Sequence, residues 1–365
     1  MSKIVIDARE LRTSTGRYVE RLLHYLQQVD DHNDYTVLLK PKDLDGWQPS
    51  SPRFRKLACP YKEFTFAEQL QFKKQLNGLE ADLVFFPMVQ QPVLYRGKVV
   101  TTMQDLTTVR FRNPTKNPVI FTIKQQIYKW VNKRVAKRSA ALITPTEFVK
   151  EDVASFTDVK LDKITVTLES ADEIKDKVEP VKELEGTQFI MYVGRPLPHK
   201  NLPRLIEAFK ILKQTHPDFK LVLAGKKDAA YDQIEAVVQK QKTPDVLFTG
   251  FISDGQLRWM YEHCAAYIFP SLSEGFGLPG LEAMKHGAPV VSSNATCLPE
   301  VYGEAAHYFD PVNIKDMARR ISEVIDIPSL RHQLIVAGTE QAKKYSWKRM
   351  AKQTLAVFES VLQKR

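Results

Sequence analysis

Two short stretches of this chain carry side chains suited to holding an anionic, hydroxyl-rich ligand. In V-G-R-P-L-P-H-K-N-L, Val193 to Leu202, Arg195 lies just beyond a predicted strand and Lys200 just before a predicted helix that Asn201 is placed to cap. Cations at strand ends of an open α/β sheet are candidates for a diphosphate. The second stretch runs from Ser271 to Val291, S-L-S-E-G-F-G-L-P-G-L-E-A-M-K-H-G-A-P-V-V. It leaves a predicted strand, turns through glycines and enters a short helix, with Pro279 in the first turn and Gly287 at the C-terminal end. Backbone amides at such a helix start favour anions. Glu274 and Glu282 bracket the turn.

Read literally, Gly275 to Gly280 is GxGxxG, the dinucleotide fingerprint. Its context is wrong for that use. The motif falls in the second half of the chain, proline occupies its fifth position, and the helix that follows is short for a dinucleotide-binding βαβ unit.

These loops need a scaffold, and the apolar pattern predicts one. KIVID (3–7), YTVLL (35–39), DLVFF (82–86), KVVTT (98–102), AALIT (140–144) and ITVTL (164–168) read as strands buried on both faces, separated by amphipathic helices such as 18–28. After the polar stretch 172–185 the pattern restarts with FIMYVG (189–194), LVLAG (221–225), VLFTG (246–250), AAYIF (265–269), PVVSS (289–293) and AAHYF (305–309). Two Rossmann-like α/β domains, 1–180 and 181–345, follow from this alternation. Ser346 is a good N-cap for a last helix with Trp347, Met350, Thr354, Phe358 and Val361 on one stripe. That helix docks on its own domain or crosses back to the first; the sequence leaves both open.

VGRPLPHKNL followed by SEGFGLPGLEAMKHGAPVVSSN resembles the retaining nucleotide-sugar glycosyltransferases of family 4, the glycosyl transferases group 1, whose GT-B architecture sets two Rossmann-like β/α/β domains facing across a cleft. The similarity is densest over 189–311 and extends to IDARELRTSTGRYVERLL near the N-terminus and to the closing SWKRMAKQTLAVFESVL. The resemblance implies that Arg195 and Lys200 neutralise the donor diphosphate and that Glu282 holds the ribose hydroxyls. It further implies that Glu274 and the amides of Gly275, Phe276, Gly277 and Leu278 contact the sugar and its phosphates. Fixed cations and amides aimed at a departing diphosphate would lower the barrier without a metal. By the same resemblance, the first domain takes the acceptor, and the turn Ser14-Thr15-Gly16-Arg17 corresponds to a glycine loop near the diphosphate. Gln104-Asp105 stands where relatives often have His-Asp. Glutamine cannot exchange a proton near neutral pH, so Gln104 is confined to hydrogen bonding, whereas Asp105 could orient a hydroxyl. The segment 166–172, VTLESAD, lacks the Asn-Gly of many relatives. Within the family, the resemblance is greatest to bacterial mannosyltransferases that use GDP-mannose for surface polysaccharide or lipid-linked glycans, with a UDP-sugar donor as the alternative. The loops Gly225-Lys226 and Gly250-Phe251-Ile252, on which base preference depends, do not encode guanine recognition.

Composition narrows the partners. The chain has 365 residues and a net charge of +10. From Leu106 to Thr146 there is no acidic residue and nine basic ones, Arg110, Arg112, Lys116, Lys124, Lys129, Lys133, Arg134, Lys137 and Arg138. Ile120, Ile123, Ile127, Val131 and Val135 form an apolar stripe there, with Tyr128 and Trp130 beside it. Such a helix either packs into the core with its lysines solvated or lies on an anionic bilayer, as a lipid-linked acceptor would require. No apolar run approaches the ~18 to 20 residues of a membrane span, and Asp7 and Glu10 break any signal peptide. Cys59, Cys264 and Cys297 are widely spaced and lack metal-ligand partners, so a reducing cytoplasm is expected. Asp43-Leu44-Asp45 reads as a solvated turn rather than a metal motif. Two readings from other classes compete: a nucleic-acid binder, which the charge suits but no binding module supports, and a sugar-binding module without turnover.

Overall fold

Strands with apolar side chains on both faces can be satisfied only when helices cover both sides of a parallel sheet, and the computed structural model builds two such sheets. It describes residues 1–12, 16–111 and 118–364, without the side chains of 118–120. The first sheet comprises β1 (Lys3–Asp7), β2 (Asp34–Leu39), β3 (Phe54–Ala58), β4 (Leu83–Phe86), β5 (Val99–Thr102), β6 (Ala141–Thr144) and β7 (Ile164–Val166) in the order β3-β2-β1-β4-β5-β6-β7. The second comprises β8 (Phe189–Val193), β9 (Lys220–Ala224), β10 (Val246–Gly250), β11 (Ala266–Phe269), β12 (Val290–Ser293) and β13 (Ala306–Phe309) in the order β10-β9-β8-β11-β12-β13. Every pairing is parallel.

In each sheet the strand order reverses beside the first strand, between β1 and β4 and between β8 and β11. The connections on either side of such a reversal run to opposite faces and leave a crevice at the carboxyl ends of the strands. In the second sheet Ala266 pairs with Ile190 and Tyr267 with Met191, so the loops leaving β8 and β11 emerge side by side. Those are the two motif loops.

The first compact unit holds Met1–Val109, Ile123–Glu169 and Ser346–Arg365; the second holds Arg110–Thr122 and Ser170–Tyr345. Residues just past Glu169 are tied to the second unit. The Ile174 amide donates to Nε2 of His286 at 3.1 Å, and Arg258 donates to the Asp176 carbonyl at 3.2 Å. The last helix, Trp347–Gln363, belongs to the first unit. Ser346 caps it by accepting from the Arg349 amide, and all five residues of its apolar stripe are buried. It packs on the helix Gly16–Val29 and on the sheet, where the Phe358 ring centroid lies 5.0 Å from that of Phe85 in β4.

β3 went unpredicted. F-R-K-L-A has only three apolar residues, which suits an edge strand with one solvated face. The helix Pro118–Arg138 corrects the picture of one continuous apolar stripe. Val135 is buried beside Asn132 and Ala136, while Ile123, Ile127 and Trp130 are each more than half exposed. The 21-residue helix is docked through its last turns, and no residue from 121 to 130 is buried. The side chain of Ile120, together with Arg112 and Lys116, lies outside the described residues. The turn at Asp43 is present, but Asp43 is buried and only Asp45 is exposed.

Candidate active site

The loop after β8 is built around two conformational constraints. Gly194 takes φ 139°, and its carbonyl accepts from the hydroxyl of Tyr231 at 2.8 Å, a hydroxyl that also reaches the Ala224 carbonyl. At the far end, Asn201 takes φ 61° at the start of the helix Leu202–Leu212. It occupies the N-cap position without capping: its Nδ2 donates to the carbonyls of Pro270 at 3.0 Å and Pro311 at 2.8 Å. This replaces the cap expected from sequence with a staple to the ends of β11 and β13. Asn201 is 2% exposed, so its donor must be satisfied inside the protein. The Leu272 amide donates to the His199 carbonyl at 2.7 Å, closing the two loops on each other.

Between those staples Nζ of Lys200 lies 2.5 Å from Oε1 of Glu274, both side chains largely buried. The ammonium also sits 5.6 Å from the Phe269 ring centroid. Neighbouring His199 has its pKa pushed down to about 4, chiefly by burial and then by Lys200, so it is neutral at pH 7. Arg195 is 63% exposed and is oriented by Asp228, which accepts from its Nε at 2.7 Å. Asp228 does this while capping the helix Ala229–Gln241 through the amides of Ala230 and Tyr231.

The turn Glu274–Leu278 is held from below. The Glu274 amide donates to Oγ1 of Thr296, and the Tyr302 hydroxyl donates to the Gly277 carbonyl at 2.6 Å. Gly277 has φ 96°, and a Cβ there would sit 2.6 Å from the Tyr302 oxygen, so no other residue fits. The helix Leu278–Lys285 starts immediately after it, and Glu282 is buried on that helix at 8% exposure. Phe276 is buried against Tyr345 in an edge-to-face contact. Gly275 joins Glu274 to this buried ring.

The structure therefore brings Lys200 and Glu274 into direct contact and places Arg195 at the start of the same β8 loop. It also supplies residues that sequence reasoning passed over. Asp228 was legible as a helix cap in K-D-A-A-Y-D. Tyr231, Tyr302 and Thr296 had no local signal, because each acts through a contact made only on folding.

In the first unit, Gly16 opens the helix Gly16–Val29, and a Cβ there would lie 2.1 Å from the Leu11 carbonyl oxygen. Ser14 and Thr15 of the same turn lie outside the described residues. Asp105 follows β5 and accepts from the Thr107 amide at 2.9 Å, opening the short helix Thr107–Arg110. Gln104 lies beside Glu169, which the sequence reading did not single out.

Residues 173–341 match the family model of the glycosyl transferases group 1. The chain is 29% identical over 243 residues to the serotype-specific mannosyltransferase WbdA of Escherichia coli, a match spanning 62% of this chain and 29% of WbdA. It is 29% identical over 274 residues to the O-antigen chain mannosyltransferase B of E. coli, covering 72% of this chain and 70% of that one. Among solved structures, sucrose-phosphate synthase from Thermosynechococcus elongatus superposes with a TM-score of 0.77 over 99% of both chains at 18% identity. That likeness gives the fold, the GT-B pairing of Rossmann-like domains. The part of the chain that carries the cationic loop and the glycine turn is thus similar to the glycosyl transferases group 1.

Proposed function

We propose that this protein is a retaining, metal-independent hexosyltransferase that moves mannose from GDP-mannose onto a glycan or lipid-linked glycan. The observation that carries the reading is the Lys200–Glu274 pair at the strand-order reversal of the second sheet. A fixed ammonium beside a carboxylate can bind a diphosphate through the first and a sugar hydroxyl through the second. Arg195, Lys200 and the start of the helix Leu278–Lys285 would stabilise the departing nucleoside diphosphate. Glu282 would take the ribose hydroxyls, and Glu274 with residues 275–278 the sugar and phosphates. By the resemblance, Gly16 would contact the diphosphate and Asp105 would orient a hydroxyl. Proton transfer from the acceptor would go to the leaving phosphate on the face it departs from, so no protein nucleophile is needed. Mannose as the sugar rests on the relatives, which are mannosyltransferases by name.

A thermal-shift panel of GDP, UDP, ADP and TDP tests the donor. GDP is expected to raise the melting temperature most; at a hundredfold excess over Kd it would add about 2.7 kcal/mol. Transfer from GDP-mannose should survive EDTA. Stabilisation by UDP alone would replace this donor with a UDP-sugar, and nucleotide binding without turnover would leave a sugar-binding module.

The proposed lipid-linked acceptor has a second support. Phe64, Phe66 and Leu70 are exposed at 60%, 88% and 64%, and the Phe64 ring lies 6.0 Å from Tyr128 on the helix that exposes Ile123, Ile127 and Trp130. Lys73, Lys74, Lys124 and Lys133 belong to the same two segments. An apolar surface with basic residues around it suits an anionic bilayer on the cytoplasmic side. Among the described residues no helix is long and apolar enough to cross a membrane. Sedimentation with vesicles containing anionic lipid is expected to pull down the protein at low salt, and Ile127→Glu with Trp130→Glu should abolish it. Equal sedimentation of that variant would remove this support.

A further inference from the structure

Gln104 after β5 and Glu169 after β7 meet in the folded first unit. Glu169 is 5% exposed, and the Gln104 side chain lies against its carboxyl. Nε2 of Gln104 is itself buried and has no partner at hydrogen-bonding geometry. A buried amide donor left open beside a buried carboxyl can be satisfied in two ways, and the protonation state of the carboxyl selects between them. We propose that Glu169 is a positioning residue for glycosyl transfer, setting which end of the Gln104 amide is turned toward a hydroxyl of the substrate. This rests on the glycosyltransferase reading above.

When Glu169 is ionised it accepts from Nε2, and the Gln104 carbonyl oxygen is left to accept from the hydroxyl. When Glu169 is protonated it donates to that oxygen, and Nε2 turns outward in its place. Only the first arrangement draws the hydrogen of an attacking hydroxyl away from its oxygen, so the ionised form is the active one. Burial pushes the carboxyl up to about 7, with Gln104 and then Arg17 holding it down. Among the described residues, the groups that act with it are Gln104 after β5, and Arg17 and Tyr18 on the first helix. The Tyr18 hydroxyl is bonded to Thr102 of β5 at 3.0 Å and meets Thr354 of the last helix. Arg17 is the single full charge among them, and Tyr18, with its pKa raised by burial, stays neutral. Asp105, next to Gln104, has one oxygen engaged by the Thr107 amide.

The test compares wild type, Glu169→Gln, Glu169→Asp and Gln104→Ala between pH 5.5 and 8.5. Wild-type kcat/KM should fall about tenfold per pH unit below an inflection near 7, the slope of a single essential ionisation. Glu169→Gln should lose that inflection and roughly tenfold to a hundredfold of kcat at pH 8. Its GDP binding should be unchanged. Glu169→Asp should restore a titration. Gln104→Ala should also lose the inflection, and adding Glu169→Gln to it should cost nothing further. The Gln104 side-chain amide resonances provide a readout independent of turnover. They should shift with pH around 7 in wild type and stay flat in Glu169→Gln. An inflection that survives in Glu169→Gln, or amide resonances flat in wild type, would overturn the proposal. A wild type that transfers no sugar while its Gln104 resonances titrate would instead sink the function reading and leave this pair standing.

Discussion

Lys200→Ala is expected to lower kcat for transfer by about 10²- to 10³-fold, the loss seen when one donor aimed at developing negative charge is removed. Lys200 sits where the topology converges, stapled from one side by Asn201 and from the other by the Leu272 amide. The substitution has a second consequence. Glu274, at 13% side-chain exposure, loses its cation and stays behind as a poorly solvated carboxylate, so the variant is also destabilised. The two effects separate in Lys200→Ala/Glu274→Gln, which should regain most of the stability and none of the activity. Lys200→Arg should not rescue, because a planar fork does not fit the space of a compact ammonium. Arg195→Ala is expected to act more on KM than on kcat, since Arg195 is mostly exposed and can be replaced in part by water. Steady-state kinetics and melting curves on the four proteins decide this. A Lys200→Ala enzyme with kcat within threefold of wild type would remove Lys200 from the reaction.

The largest stability effect is expected at Arg9. Its guanidinium donates to Asp7 at 2.7 and 2.9 Å, to Glu68 at 2.9 Å and to the Tyr61 carbonyl at 2.9 Å, and it lies over the Phe72 ring at 4.3 Å. All three charged side chains are nearly inaccessible. Arg9→Ala strips one cation from two buried carboxylates and should cost about 3 to 5 kcal/mol at pH 7. For a unit of this size that is a drop on the order of 10 °C in melting temperature. The pH dependence has a definite sign. Burial already raises the Glu68 pKa against the opposing pull of Arg9. Without Arg9 that pull is gone, the folded state binds protons more tightly than the unfolded one, and stability falls as pH rises through the raised pKa. The deficit relative to wild type should therefore be smaller at pH 5 than at pH 7. Arg9→Met with Asp7→Asn and Glu68→Gln should recover most of the loss. A single Arg9→Ala variant that melts within 2 or 3 °C of wild type at pH 7 would contradict the expected cost.

Much of the architecture was legible because burial on both faces of a parallel strand writes a continuous apolar run into the chain, as in 83–86 and 189–193. The glycine turn was legible for a related reason: Gly277 at positive φ, Pro279 in the first turn and Gly287 beyond the helix are local demands of the backbone. An edge strand such as β3 has no such run. Asn201 was misassigned because the N-cap position can be read locally, whereas the partners of its amide, Pro270 and Pro311, are distant in sequence. The helix Pro118–Arg138 shows the same limit, since an apolar stripe records that a face is available and not how many of its turns find a core.

By itself, then, the amino-acid order determined the alternation of strands and helices, the restart after 185, and the chemical types offered by the loops at 193–202 and 271–278. Each follows from periodicity or backbone preference within a few residues. Only the tertiary structure decided that β8 lies against β11 and so sets Lys200 on Glu274, that the last helix returns to the first unit, and that Glu169 meets Gln104. Those neighbours are chosen by strand pairing and close packing between segments far apart in the chain, and no local periodicity encodes them.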